Sequence, residues 1–374
     1  MSLPGIGDER GQQPHRRPRL ALVRSSINVD ETFTVSAIAR PGQTISSKAY
    51  QARAGGKGAN VAAAIGLALL AQDQEGGAGV RLVGAVGQDA TWPLDNLKKS
   101  KVDISGVSIL EDVPTGRAFI QVAEDGENSI VLLKGANYTR TLDDAQGILA
   151  GGLVGCLVLQ NEIPLETTRG FVKAAAAGGG TGTDRKKITT IFNPSPMLTR
   201  DEAAEFEWDL VDVLVVNEGE AEALLSLLDS PPSSSSSTSS IGERLTQCRK
   251  VESIRWIIVT RGDRGLSVYV RTPTSSERRT IDQVAFKPDK VVDTTGAGDT
   301  FLGYLVAGLL TSEAAIQGGG VDDANLPTSP QLIEQILRSA ACAAAMAVEK
   351  TGAMESIPNG PDVKRRLAEL TDSE

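Results

Sequence analysis

Cys156-Leu-Val-Leu-Gln160, Ile188-Thr-Thr-Ile-Phe192, Val213-Leu-Val-Val216 and Ile257-Ile-Val-Thr260 are four short, largely apolar runs separated by helix-like stretches. Runs of this length without strict polar alternation suit strands buried on both faces. Their alternation with helical segments argues for βαβ units and a parallel sheet. Arg19–Ile27 and Val80–Val86 read as further buried strands. The expected fold class is α/β, a doubly wound, mainly parallel sheet with helices on both faces. Residues 31–53 alternate apolar and polar around Pro41-Gly42, which predicts a hairpin. Thr115–Ala123 and Asn128–Leu133 predict a second strand pair around the turn-rich tip Glu124–Glu127. These two segments, about 29–54 and 114–135, are expected to form a small β-sheet lid on one large domain of residues 19–374.

The composition sets limits. A chain of 374 residues, 40% hydrophobic and 23% charged, can bury a sizeable core as one large domain or a main domain with a small accessory one. Aromatic residues make up only 4% while Ala and Gly abound, which suits close helix–sheet packing. The net charge of −9 gives no general attraction to nucleic acid or to an anionic membrane. No apolar run reaches the length of a membrane span. The three cysteines, Cys156, Cys248 and Cys342, lack metal spacing and read as buried, reduced thiols. The one histidine, His15, lies in a polar N-terminal stretch. Serine-protease and Cys–His chemistry and a His-based zinc site are therefore excluded. Residues 1–18 have no apolar core and read as a disordered tail rather than a secretory signal. The chain is expected in the cytoplasm, with access to the nucleus. Gly178–Arg185, the serine run Ser233–Ser240 and Gly318–Ser329 read as surface insertions.

Three segments carry chemistry. In Asp293-Thr-Thr-Gly-Ala-Gly-Asp299-Thr-Phe301, Gly296, Ala297 and Gly298 stand where the apolar helix Leu302–Leu310 should begin. Small residues there let a ligand approach backbone N–H groups at the positive end of the helix dipole. That makes an anion hole suited to phosphoryl transfer. Asp299 then reads either as a helix cap or dipole complement, or as the base for an attacking hydroxyl. The second segment, Ala54-Gly-Gly-Lys-Gly-Ala-Asn60, reads as a glycine-rich turn before a helix at Val61–Ala71. It lacks the spacing of a Walker A loop. Lys57 is either solvated or a point charge for phosphate. In the third, Ser26-Ile-Asn-Val-Asp30, Asn28 and Asp30 would point the same way at the carboxyl end of a strand, where open α/β sheets bind ligands.

Together these segments resemble the ribokinase family of carbohydrate kinases. Gly126-Glu-Asn-Ser-Ile130, Gly135-Ala-Asn137, Leu159–Pro164, Asn193-Pro-Ser-Pro196, Asn217-Glu-Gly-Glu220 and Thr260–Gly265 fall between them in the family's order. The resemblance spans roughly residues 19 to 368. It implies an ATP-dependent kinase that phosphorylates D-ribose at O5, with fructose, adenosine or another nucleoside as alternative substrates. A non-catalytic sugar sensor is the rival reading; intact Asp299, Gly298 and Glu220 argue against it.

The same resemblance assigns Asn28, Asp30, Gly56, Lys57, Asn60 and Glu162 to the sugar and Asp299 to proton abstraction. It places the nucleotide on Asn217, Thr260, Gly262, Gly265 and the anion hole Gly296–Gly298. Glu220 would position magnesium through water. Potassium would be held by Asp293, the carbonyls of Thr295, Ala347, Lys350 and Gly352, and the Ser356 hydroxyl. The implied partners are a small sugar and a second copy joined through the lid. One departure stands out. Ser339–Ala345 reads Ser-Ala-Ala-Cys-Ala-Ala-Ala where family members carry a polar residue or His near adenine.

Overall fold

The computed structural model describes residues 20–71, 77–139, 144–150, 152–179, 187–228, 239–271, 277–312 and 326–371. The 1–18 tail, His15 and most of the three expected insertions lie outside the described residues. Along the chain come β1 (Leu20–Arg24), β2 (Asn28–Val35), β3 (Ala49–Gly55), α1 (Lys57–Leu69), β4 (Gly79–Gly87), α2 (Pro93–Lys99) and β5 (Asp103–Leu110). They are followed by β6 (Gly116–Ala123), β7 (Asn128–Leu133), α3 (Ala145–Leu149), β8 (Val154–Gln160), α4 (Leu165–Ala176), β9 (Thr189–Asn193) and α5 (Arg200–Glu205). The rest is β10 (Val213–Asn217), α6 (Glu218–Leu227), α7 (Ile241–Thr246), β11 (Trp256–Thr260), β12 (Leu266–Arg271), β13 (Arg278–Gln283), α8 (Ala297–Thr311), α9 (Pro330–Ala347) and α10 (Gly360–Thr371).

Among the described residues the large sheet runs β13-β12-β11-β10-β9-β8-β1-β4-β5. All neighbours from β11 to β5 pair in parallel; only the β11–β12 and β12–β13 pairs are antiparallel. The apolar runs are continuous because both faces are covered. Val23, Val158, Val215 and Ile258 face a core built with α1, α8 and α9. Their neighbours Leu22, Leu157, Leu214 and Ile257 face the opposite core with α4, α6 and the aromatic group Phe192, Phe206 and Trp208. A separate sheet, β3-β2-β6-β7, is built from residues 28–55 and 116–133. The chain enters it from β1 through only Ser25–Ile27. No helix among the described residues is long and apolar enough to cross a membrane.

Two expectations need correction. The helix read as Val61–Ala71 begins at Lys57 and ends at Leu69, so Gly58, Ala59 and Asn60 are helical. The reason is tertiary. A Cβ on Gly58 would lie 2.4 Å from the Ser25 side chain and 2.8 Å from backbone of Ser26. Glycine there serves contact with the β1–β2 crossing rather than a turn. The strand read through Ile27 stops at Arg24, because Asn28 already pairs with Gly55 and Gly116 in the small sheet. The cysteines are free and buried, as expected.

The small residues have a clear use where α1 meets α8. A Cβ on Gly303 would lie 2.3 Å from the Ala64 Cβ and 3.0 Å from the Val61 carbonyl. Gly303→Val should therefore force these helices apart, with an overpacking cost of about 1–3 kcal/mol. Thermal unfolding is expected to shift down by several degrees; an unchanged midpoint would contradict this packing.

Candidate active site

The polar residues of the site stand at the carboxyl ends of parallel strands. Asn193 of β9 is in register with Gln160 of β8, and Thr260 of β11 with Asn217 of β10. Two helices begin beside this row, and neither has a capping side chain. By contrast, α5, α6 and α7 each begin with a full capping box. The first-turn amides of α1 are taken instead by Glu162 and Ser26, whereas in α8 no side chain of its own sequence caps the turn.

In α8 the cap residue is Gly296, at φ 78. A Cβ there would lie 2.8 Å from the Ala353 backbone, so both conformation and space demand glycine. The Gly298 and Asp299 amides lie in the first turn, where no intrahelical acceptor exists. A Cβ on Gly298 would meet nothing within 4 Å, so this turn is open to a ligand. Asp299 is not the cap residue but stands in the first turn, where its carboxylate complements the helix dipole. Its Oδ2 accepts instead from Asn60 Nδ2 of α1 at 2.9 Å. Asn60 Oδ1 is buried without a protein partner.

Carboxylates crowd this junction. Glu162 Oε2 accepts from the Lys57 amide at 3.0 Å and from the Ser26 hydroxyl. The Asp30 carboxyl is pushed up to about 7, first by burial and then by the charges of Glu162, Asp299 and Glu355. Burial also raises Asp299, against the opposing charge of Lys57 and the bond from Asn60. Asp299 in turn raises Lys57, outweighing the ammonium's desolvation, with help from Glu162 and Glu220. Lys57 is thus held charged among acids.

Asn28 and Asp30 lie two apart on β2 and share a face, as their spacing predicts. The Asn28 Oδ1 accepts from Asn137 Nδ2 at 2.7 Å. Asn137 also takes the Ile27 amide at 2.9 Å and donates to the Ile27 carbonyl at 3.2 Å. Asn28 therefore turns its own amide N–H groups away from Asn137. A cavity of about 300 Å³ adjoins Asn28 and Glu162, walled by Leu133, Tyr138, Pro196 and Met197.

A second cavity, of about 220 Å³, brings together Lys57, Asn217, Glu220, Thr260, Gly296, Gly298 and Asp299. Asn193 also lines it. Its Nδ2 donates to the Val215 carbonyl at 2.9 Å. Asn217 and Glu220 are locked reciprocally: the Glu220 amide donates to Asn217 Oδ1 at 2.8 Å, and the Asn217 amide to Glu220 Oε2 at 3.0 Å. Glu220 offers hard oxygen to the cavity and fits a hydrated divalent cation. Gly262 and Gly265 do not line this cavity. They shape the turn after β11, where the Arg261 amide meets the Gly265 carbonyl at 2.7 Å.

The two loops expected to share a cation do meet. Asp293 Oδ1 accepts from the Thr295 amide and Oδ2 from the Gly352 amide, each at 2.9 Å. Burial pushes this carboxyl up, but those bonds and the charge of Arg53 hold it below the usual range. The Val292 and Asp293 amides both donate to the Val348 carbonyl, at 2.8 and 3.2 Å. Buried Ser356 turns its hydroxyl to the Ala353 carbonyl at 3.3 Å. The expected donors, one carboxylate, four backbone carbonyls and one hydroxyl, are all oxygen, a chemistry that would suit a weakly hydrated monovalent ion.

Sequence reasoning overlooked Asn193 and Asn137 as site members, although both stood within segments marked by the resemblance. It also passed over Ser26, which opens the third segment, and Arg53, which carries no local signal.

These features define a sugar-kinase architecture. The family model described as pfkB family carbohydrate kinase matches residues 20–360, and the chain belongs to that family. It is similar to the crystal structure of ribokinase from Cryptococcus neoformans var. grubii serotype A in complex with ADP, at 36% identity and a TM-score of 0.73. The match covers 93% of this chain and 99% of that one. The structure of Arabidopsis thaliana ribokinase complexed with ribose and ATP matches at 26% identity and a TM-score of 0.72, over 93% and 98% of the two chains. Haemophilus influenzae ribokinase is 28% identical over 340 residues, covering 90% of this chain and 94% of its own.

Asp30 supplies a pH test. Its carboxyl binds protons more tightly in the folded protein than unfolded, so stability falls as pH rises from the ordinary 3.8 of an aspartate to about 7. Asp30→Asn should be more stable than wild type at pH 8, and the advantage should vanish below pH 4. Equal melting temperatures at pH 8 would contradict the raised pKa.

Proposed function

We propose that this chain is an ATP-dependent ribokinase that transfers the terminal phosphoryl group of ATP to O5 of D-ribose, giving ribose 5-phosphate and ADP. The observation that carries the reading is the placement of Asp299. Its carboxylate lies in the open first turn of α8, is bonded to Asn60 at the start of α1, and lines the cavity shared with Asn217, Glu220 and Thr260. The near full-length similarity to ribokinases supports ribose as the sugar.

In this reading, Asn28, Asp30, Gly56, Lys57, Asn60 and Glu162 hold the sugar. The unpaired Asn60 Oδ1 and the donor face of Asn28 offer complementary bonds to vicinal hydroxyls. Asp299 accepts the O5 proton as O5 bonds to phosphorus and the bridging oxygen leaves with ADP. Its raised affinity for protons brings it nearer the range of an effective base. The amides of Gly296–Gly298 and the Lys57 ammonium bear the charge that develops on the transferred group. Asn217, Thr260 and the Gly262–Gly265 turn would contact the nucleotide, and Glu220 would hold magnesium through water. Magnesium, when bound, neutralises phosphate charge. Asp293, the carbonyls of Thr295, Ala347, Lys350 and Gly352, and Ser356 would hold potassium and so fix the loop that leads into Gly296.

The small sheet acts as a lid over the sugar. Its edge strand β7 exposes Ile130, Val131, Leu132 and Leu133, which supports a homodimer joined through the lids. A cytoplasmic location, with access to the nucleus, belongs to the same proposal.

ADP release across ribose, fructose and adenosine tests the substrate; ribose should give the highest kcat/KM, and preference for either competitor would overturn ribose. Asp299→Asn should lower turnover by at least about 10²-fold while leaving ribose affinity nearly intact. Near wild-type turnover would remove Asp299 from its role. Potassium should raise turnover several-fold over sodium or tetramethylammonium at equal ionic strength, and Asp293→Ala should erase that response. Equal rates in the three salts would contradict the cation site.

A further inference from the structure

Arg53 stands on lid strand β3 directly opposite Asp30 of β2. Its guanidinium nevertheless reaches out of the small sheet to the loop after α9. Nη1 donates to the Thr351 carbonyl at 3.2 Å and lies 3.9 Å from a Glu355 carboxylate oxygen. Gln51 Oε1 steadies the other side of the fork, accepting from Nε at 3.4 Å and Nη2 at 3.1 Å. The fit is close. A Cβ on Gly352, at φ +93, would lie 2.5 Å from Arg53 Nη1 and 2.7 Å from Glu355 Oε2. Glycine there serves both its backbone conformation and the room Arg53 occupies.

The contact continues inward. The Gly352 amide donates to Asp293 Oδ2, and Asp293 Oδ1 accepts from Thr295, one residue before the cap of α8. A single chain of contacts thus runs from the lid through Arg53, Thr351–Gly352 and Asp293 to the open helix start. We propose that Arg53 is a positioning residue that couples the lid to the cation loop, so that ribose and a monovalent cation each tighten the binding of the other. This rests on the cation reading given above.

The physical argument is one of shared order. The Thr351 carbonyl lies between Lys350 and Gly352, whose carbonyls both belong to the proposed donor set. Fixing those two fixes the acceptor that Arg53 needs, and a lid held down by Arg53 orders the loop in return. Linkage makes the effect reciprocal. Electrostatics sets the sign. Arg53 alone would repel a second cation. Two carboxylates, however, balance it, Glu355 at 3.9 Å and Asp293 through the loop it bonds, so one further single charge is accommodated. The Arg53 side chain remains 28% exposed, which screens the direct repulsion.

The test is calorimetric titration of the full chain with ribose, in potassium chloride and in tetramethylammonium chloride at equal ionic strength. Wild type, Arg53→Met and Arg53→Lys are compared. Wild type is expected to bind ribose about fivefold more tightly in potassium, the lower end of usual coupling. In Arg53→Met that ratio should fall to about one, whereas turnover at saturating ribose still rises with potassium. Arg53→Lys, which keeps the charge and one donor, should lie between. A methionine variant that retains the wild-type ratio overturns the coupling. So does a wild-type protein whose turnover responds to potassium while its ribose affinity does not. Indifference of both turnover and affinity overturns the cation reading itself, and the coupling with it.

Discussion

The hydrogen bond from Asn60 to Asp299 ties together the first turns of two helices that begin, uncapped, at the same point. Much of the site depends on that convergence. It requires α1 and α8 to pack more closely than ordinary side chains allow, hence Gly303 against Ala64. It requires Gly296 to turn the chain in a left-handed conformation against Ala353. In return, the positive ends of two helix dipoles, a lysine and several carboxylates share one small volume. Burial and like charge would each disfavour that crowd; Lys57 and the free amides offset them.

The lid is joined to this centre by chain connectivity as well as by contact. The β1–β2 crossing leaves the middle of the large sheet and enters the small one within three residues, and Asn137, on the return path after β7, clasps it at Ile27 and Asn28. A second set of bonds, from Arg117 to Glu31 within the lid and to Asp89 beyond β4, braces the lid against the large sheet. Movement of the lid would therefore be felt at Asn28, one of the residues proposed to hold the sugar.

Much of the architecture was legible in the sequence because two-sided burial writes a continuous apolar run, as at Val213–Val216. β5 was not, since most of its residues are only half-buried and its pattern is indistinct. The antiparallel edge of β12 and β13 also went unread, because the Arg261–Gly265 turn before it was read for chemistry rather than for chain reversal. The start of α1 was misplaced because Gly56 and Gly58 look like turn residues. Gly56 is indeed the left-handed residue before the helix, at φ +90, but Gly58 is helical and its use is spatial, against Ser25 and Ser26, which no local propensity reveals. The start of α8 at Gly296–Gly298 was legible, because an apolar helix follows these residues at once. Contacts such as Arg53 to Thr351, 298 residues apart, leave no trace in a single sequence.

The central claim is that a sugar hydroxyl and the terminal phosphate meet where α1 and α8 begin. A crystal structure with ribose and a non-hydrolysable ATP analogue tests it most directly. The expected complex has a ribose hydroxyl about 3 Å from an Asp299 carboxylate oxygen and the terminal phosphate over the amides of Gly296–Gly298. Ribose seated instead in the cavity between Tyr138 and Met197, with every hydroxyl beyond reach of Asp299, would contradict the account.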